Sequence, residues 1–165
     1  MIVFLDFDGV LHPNEDFLKH PLHHYQRRGI VLECDGHSLF EHVGVLEEIL
    51  EPHPQAKIVL STSWVVALGF NRAKGHLPTA LQNRVIGATY HSAQGDRNWW
   101  WGLTRHEQIA RYVRRHNLHQ WIAIDDDECG WPENQYHRLV HTDEWAGLGQ
   151  AAAQSDLAAK LVTMI

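Results

Sequence analysis

The feature that most constrains this chain is its opening run, Met-Ile-Val-Phe-Leu-Asp-Phe-Asp-Gly-Val-Leu-His. Ile2 to Leu5 are four apolar residues in a row, the pattern of a short strand buried on both faces. Two carboxylates follow, Asp6 and Asp8, one residue apart, and then Gly9, which lets the backbone turn sharply at no steric cost. Parallel α/β sheets bind ligands in the crevice beyond the carboxyl ends of their strands. Two acids brought together there without a partner repel each other and resist ionisation. A bound divalent cation resolves the conflict. A hard cation such as Mg²⁺ takes oxygen ligands and keeps water or phosphate oxygens in its remaining positions.

Two further strand ends repeat the arrangement. Lys57 to Leu60 reads as a buried strand running directly into Ser61-Thr62-Ser63-Trp64, and Trp121 to Ile124 as another ending in Asp125-Asp126-Asp127-Glu128. Between them, Thr104 to Asn117 reads as a helix. Thr104 and Glu107 form a capping box, Ile109, Tyr112 and Val113 line one face, and Arg105, Arg111, Arg114 and Arg115 line the other. Ser38 to Glu51 reads as a helix with Ser38 and Glu41 as its capping box, stopped by Pro52 and Pro54. Further expected elements are short helices at 65–70 and 78–83, strands at 84–89 and 138–140, a loop at 92–98 and a closing helix at 150–162.

Asp6-Phe7-Asp8-Gly9-Val10-Leu11 resembles motif I of the haloacid dehalogenase (HAD) superfamily in its phosphatase form. Ser61 resembles motif II, with Thr62 one residue away as the alternative, and Asp125-Asp126 resembles motif IV. The resemblance implies a Rossmann-like α/β domain, a mainly parallel sheet with helices on both faces, over residues 1–165. It implies that Asp6 is the nucleophile and Asp8 the general acid/base. Ser61 would hold the transferring phosphoryl oxygens. Arg105 would be the motif III cation, with Lys74 as runner-up. Asp126 would bind Mg²⁺ together with Asp6 and the backbone carbonyl of Asp8, while Asp125 orients the motif III cation or a metal-bound water. An acid at position 8 favours phosphoryl transfer over dehalogenation, because a departing halide needs no proton whereas an alkoxide does.

The stretches with room for a cap are a flap at 13–37, containing a small hairpin, and a small insertion at 65–103. Neither is long enough to bury much core of its own. An open site suits a bulky phosphorylated substrate, and the arrangement looks similar to the HAD phosphatase domains of nucleic-acid-end repair proteins. A nucleotide or sugar phosphate is the nearest alternative substrate, and a non-catalytic binding module the alternative of another class. Trp99-Trp100-Trp101 cannot all face one core, so one or two of them should be partly exposed, to stack on a base or line a pocket; a loop plugging the core edge is the simpler reading.

A net charge of −6 gives no global basic field for nucleic acid. No apolar run approaches the roughly 18 residues that span a bilayer. No secretory leader is read at the N-terminus, and a cytoplasmic location is expected. Cys34 and Cys129 make no CxxC pair or zinc spacing, and the fourteen histidines make no HExxH ladder. His20, His23 and His24 are read as surface or pocket-rim residues, as are Arg27 and Arg28, and no obligate protein partner is inferred.

Overall fold

A computed structural model describes residues 1–14, 33–34, 37–91 and 97–163. His20, His23, His24, Arg27 and Arg28 lie outside the described residues, as does most of the expected loop at 92–98. Five parallel strands form one sheet: β1 (Ile2–Leu5), β4 (Lys57–Leu60), β5 (Val85–Ala88), β6 (Trp121–Asp125) and β7 (Leu139–His141), in the order β5-β4-β1-β6-β7. A separate antiparallel pair, β2 (Glu33–Cys34) and β3 (His37–Ser38), forms a small hairpin after the first strand. The fold is therefore the α/β, Rossmann-like one expected, with β1 at the centre.

Strand alternation divides the core between the two faces of the sheet. Val3 and Leu5 of β1, with Ile58, Leu60, Ile122 and Ile124 of its neighbours, pack on one face against α1 (Val43–Leu50), α2 (Ser63–Leu68) and α7 (Ala151–Thr163). Phe4, Val59 and Ala123 point the other way, onto Ile109, Tyr112 and Val113 of α6 (Arg105–His116). Phe4 meets Tyr112 and Trp121 edge-on, with ring centroids 5.6 and 5.7 Å apart. Every residue of β6 is buried, as a strand covered on both faces requires.

Several boundaries differ from expectation, each for a local reason. The first helix begins at Val43 and not at Ser38. Ser38 pairs with Glu33 in the hairpin, although its N–H still donates to Glu41 Oε2 at 3.0 Å. Phe40 adopts a left-handed φ of 62°, which buries its ring against Phe7 and Trp64 and breaks any helix running through it. The helix expected at 65–70 divides at Gly69 into α2 and α3 (Phe70–Gly75). The stretch 65–103 goes on through α4 (Thr79–Gln82) to the edge strand β5 and then α5 (Arg97–Trp101). Asn98 and the Trp trio stand in α5, a short helix where a loop was expected; Trp100 is buried while Trp99 and Trp101 are exposed. Arg138 closes a 3₁₀ turn (Glu133–Arg138) ahead of β7. No helix among the described residues is long and apolar enough to cross a membrane.

Candidate active site

The sheet register brings the chemistry together. Leu5 stands level with Leu60 on one side and Ile124 on the other, so the next residues, Asp6, Ser61 and Asp125, leave three adjacent strands side by side. Backbone bonds carry the ladder past the strand ends: the Ser61 N–H donates to Leu5 O (2.8 Å) and the Asp6 N–H to Ile124 O (3.1 Å). The three side chains are thus held by main-chain geometry at the carboxyl edge, where α/β folds place ligands.

Arg105 completes the centre from α6. Its position at the first turn is fixed by the capping box, in which Thr104 Oγ1 accepts from the Glu107 N–H (3.2 Å) and Glu107 Oε2 from the Thr104 N–H (2.8 Å). The guanidinium donates to Asp6 Oδ2 at 2.6 Å, and its Nε lies 3.0 Å from Asp125 Oδ2. The other arginines of this helix read as a solvated stripe, but the Arg105 side chain is only 16% exposed and is the cation among the acids. Gln108 Oε1 accepts from Arg105 at 3.4 Å while its Nε2 donates to the carbonyls of Trp100 and Leu103, tying the arginine to α5. Lys74 lies elsewhere, its ammonium donating to the Val85 carbonyl at the amino end of β5.

One carboxylate oxygen from each of Asp6, Asp125 and Asp126 lies within 4.8 Å of the other two. Burial pushes the Asp6 pKa well up; Arg105 opposes the rise, and Asp125, Asp8 and Asp126 add to it. Burial likewise pushes Asp125 up to about 7 against the pull of Arg105, and raises Asp126. Burial works against the Arg105 charge too, but Asp125 and Asp6 outweigh it and hold the pKa above the usual arginine value. One guanidinium does not balance this many acids. An all-carboxylate oxygen set with surplus negative charge is what a hard divalent cation such as Mg²⁺ fits.

Two close approaches shape the pocket. Gly9 has φ +66°, and a Cβ there would collide with the Asp126 carboxylate, so only glycine lets the acid after β6 lie against the turn after β1. Thr142, following β7, donates its hydroxyl to the Gly9 carbonyl at 2.8 Å and braces that turn. Ser61 Oγ is buried and has no hydrogen-bond partner among the described residues, the situation of a hydroxyl that awaits a ligand. Thr62 Oγ1 accepts from the Trp64 N–H (3.3 Å) and caps α2.

Asp8 takes its hydrogen bonds from other residues. The Trp64 indole N–H lies 3.0 and 3.1 Å from its two carboxylate oxygens, Ser63 Oγ donates to Oδ2 at 3.2 Å, and His12 Nε2 lies 3.1 Å from Oδ1. Asn14 Nδ2 donates to Asp126 Oδ2 at 2.8 Å. His12, Asn14, Ser63, Trp64 and Gln108 are the site residues that sequence reasoning did not select. His12 and Asn14 carried one usable signal: they follow the acid pair within six residues and so had to lie near it.

No curated protein and no solved structure matches this chain. The sequence does match one family, over residues 2–153 and so over all five strands and every acid of the site. That family is described as the HAD domain in Swiss Army Knife RNA repair proteins, and this chain belongs to it.

Proposed function

We propose that the protein is a Mg²⁺-dependent phosphatase that removes a phosphate monoester from a nucleic-acid end through an aspartyl-phosphate on Asp6. One observation carries the reading. The two acids of the first motif stand in separate surroundings, Asp6 among Asp125, Asp126 and Arg105, and Asp8 beside Trp64, Ser63 and His12. A two-step displacement needs this division, with one carboxylate kept as a nucleophile and another placed to move protons. Membership of a family found in RNA repair proteins supports a nucleic-acid end as substrate.

In the first step an Asp6 oxygen bonds to phosphorus as the bond to the leaving oxygen breaks, and Asp8 gives that oxygen its proton. In the second, Asp8 takes a proton from water, which attacks the phosphorus of the aspartyl-phosphate and frees inorganic phosphate and Asp6. Ser61 Oγ and Arg105 donate to the equatorial phosphoryl oxygens, with Thr62 fixing the helix start behind them. Asp6, Asp126 and the Asp8 carbonyl would hold Mg²⁺, with Asp125 behind Arg105, and the ion would offset charge on the nucleophile and the phosphate.

The test is a screen of 5′- and 3′-phosphorylated oligonucleotides, nucleotides and sugar phosphates, each with Mg²⁺ and with EDTA. Phosphate release from the oligonucleotides, silenced by EDTA and restored by Mg²⁺, is expected. Full activity in chelator overturns the metal role. Faster turnover of sugar phosphates moves the substrate to small esters, and binding of every substrate without turnover makes the chain a binding module.

A further inference from the structure

A cavity of about 200 Å³ opens between α5 and the start of α6, lined by Ser63, Trp100, Trp101, Arg105, Gln108 and Asp127 among others. Two of these residues also belong to the proposed catalytic centre. Ser63 donates to Asp8, and Arg105 pairs with Asp6. The cavity therefore begins one side chain away from both carboxylates of the first motif. Its volume falls below the roughly 300 Å³ at which pockets begin to enclose drug-sized ligands. It has room for one flat ring system.

The aromatic wall is selective in its exposure. Trp100 is buried at 4% and packs against Tyr90, with ring centroids 5.4 Å apart, which anchors α5 to the body of the domain. Trp99 points elsewhere, with the Arg111 guanidinium 4.5 Å from its ring centroid. Trp101 lines the cavity, is 57% exposed and has no ring or cation contact among the described residues. Holding a large indole in water beside a charged centre forgoes the apolar burial that would stabilise it, unless something else comes to cover it.

We propose that this cavity is a stacking subsite for one unpaired nucleobase of the phosphorylated strand, with Trp101 as its platform. This rests on the phosphatase reading of the adjoining centre and adds a substrate class to it: single-stranded ends, since a base within a duplex offers no open face. Stacking on an aromatic side chain is tolerant of base identity, because every base has a π-face. The subsite therefore distinguishes base from no base, with little preference among the four.

The experiment compares single-stranded dinucleotides phosphorylated at the 5′ or 3′ end with the same molecules lacking the base next to the phosphate. At the end that this enzyme uses, kcat/KM should favour the intact substrate about tenfold, mainly through KM, within the range of base–aromatic stacking. That preference should collapse towards one in Trp101→Ala and persist in Trp99→Ala. A preference near one in the wild type, or one that survives in Trp101→Ala, overturns the subsite while leaving the phosphatase standing. A second reading uses indole fluorescence in Asp6→Asn. The intact dinucleotide should quench it and the abasic one should not, whether or not the wild type turns either over. Equal quenching by both overturns the subsite. Base-dependent quenching in Asp6→Asn together with no phosphate release from any substrate by the wild type keeps the subsite and overturns the phosphatase.

Discussion

Asp6 and Asp8 are two residues apart, yet they occupy opposite environments. Asp6 is 2% exposed, shares Arg105 with Asp125, and is pushed well up in pKa by burial. Asp8 keeps a 14% exposed side chain and takes its contacts from an indole, a hydroxyl and an imidazole, none of them a fixed charge. Strand alternation would put residues two apart on one face, but β1 ends at Leu5 and the chain turns at Gly9, and the surrounding fold supplies each carboxylate with different neighbours. One carboxylate stands where a cation and a phosphoryl group would meet, the other where a proton would enter or leave. A single short motif thus presents two carboxylates in two environments because of what the rest of the chain brings to each.

Four predictions press on that contrast, the strongest first. Asp6→Asn should lower turnover of p-nitrophenyl phosphate by at least about 10⁴-fold, as loss of a nucleophile does, with an unchanged circular dichroism spectrum. Wild-type-like activity would remove Asp6 as nucleophile and erase the contrast. Asp8→Asn should cost about 10²–10⁴-fold on alkyl phosphates, the worth of a general acid, and much less on p-nitrophenyl phosphate, whose leaving group needs little help. Equal losses on both would mean that Asp8 moves no proton.

Arg105→Ala should cost about 3–5 kcal/mol in urea unfolding at pH 7.5, because it strands buried carboxylates without their cation. The cost should shrink at pH 5, where those acids can take up protons; a pH-independent loss would point to packing alone. The smallest effect concerns Mg²⁺ binding and pH. Asp6, Asp125 and Asp126 have folded-state pKa values raised above the ordinary carboxylate value near 4, Asp125 to about 7. Without a metal, the folded protein holds these protons more tightly than the unfolded chain. The stability they contribute is therefore present at low pH and is lost as pH rises, for Asp125 from about 4 through about 7. A divalent cation needs the ionised acids and reverses that loss. Mg²⁺ at a hundred times its Kd should add about 2.7 kcal/mol, or about 5–10 °C in Tm for a domain of this size, at pH 8 and little at pH 5.5. Equal shifts at both pH values would dissociate the cluster from the metal.

The sheet and the principal acids were readable because they depend on local pattern. Four apolar residues followed by an acid mark β1 and β6, three followed by a hydroxyl mark β4, and the Thr104–Glu107 box marks the start of α6 within one residue. Asp6, Ser61 and Asp125 each directly follow or close such an apolar run, so a parallel sheet puts them on one edge. The partners of Asp8 and Asp126 were not readable in the same way. Trp64 reaches Asp8, and Asn14 reaches Asp126, across long stretches of sequence. No periodicity encodes such a meeting; it follows from the packing of loops above the sheet. The late start of α1 has the same cause, since burying Phe40 against Phe7 and Trp64 overrode a sound capping box. Trp64 itself read as a helix residue beside a phosphate-binding hydroxyl, and nothing local said that its indole nitrogen would steady an acid.

The central place of β1 has a consequence for how the molecule comes into being. It is the earliest strand of the sheet, yet both its neighbours come from much later in the chain, Ile2 pairing with Lys57 on one flank and with Trp121 on the other. A nascent chain halted before Trp121 carries Asp6 beside a bare apolar edge, with neither the arginine nor the second pair of acids anchored next to it. Such a fragment is prone to aggregate. The carboxylate cluster can form only once the strand ending in Asp125 has docked beside β1.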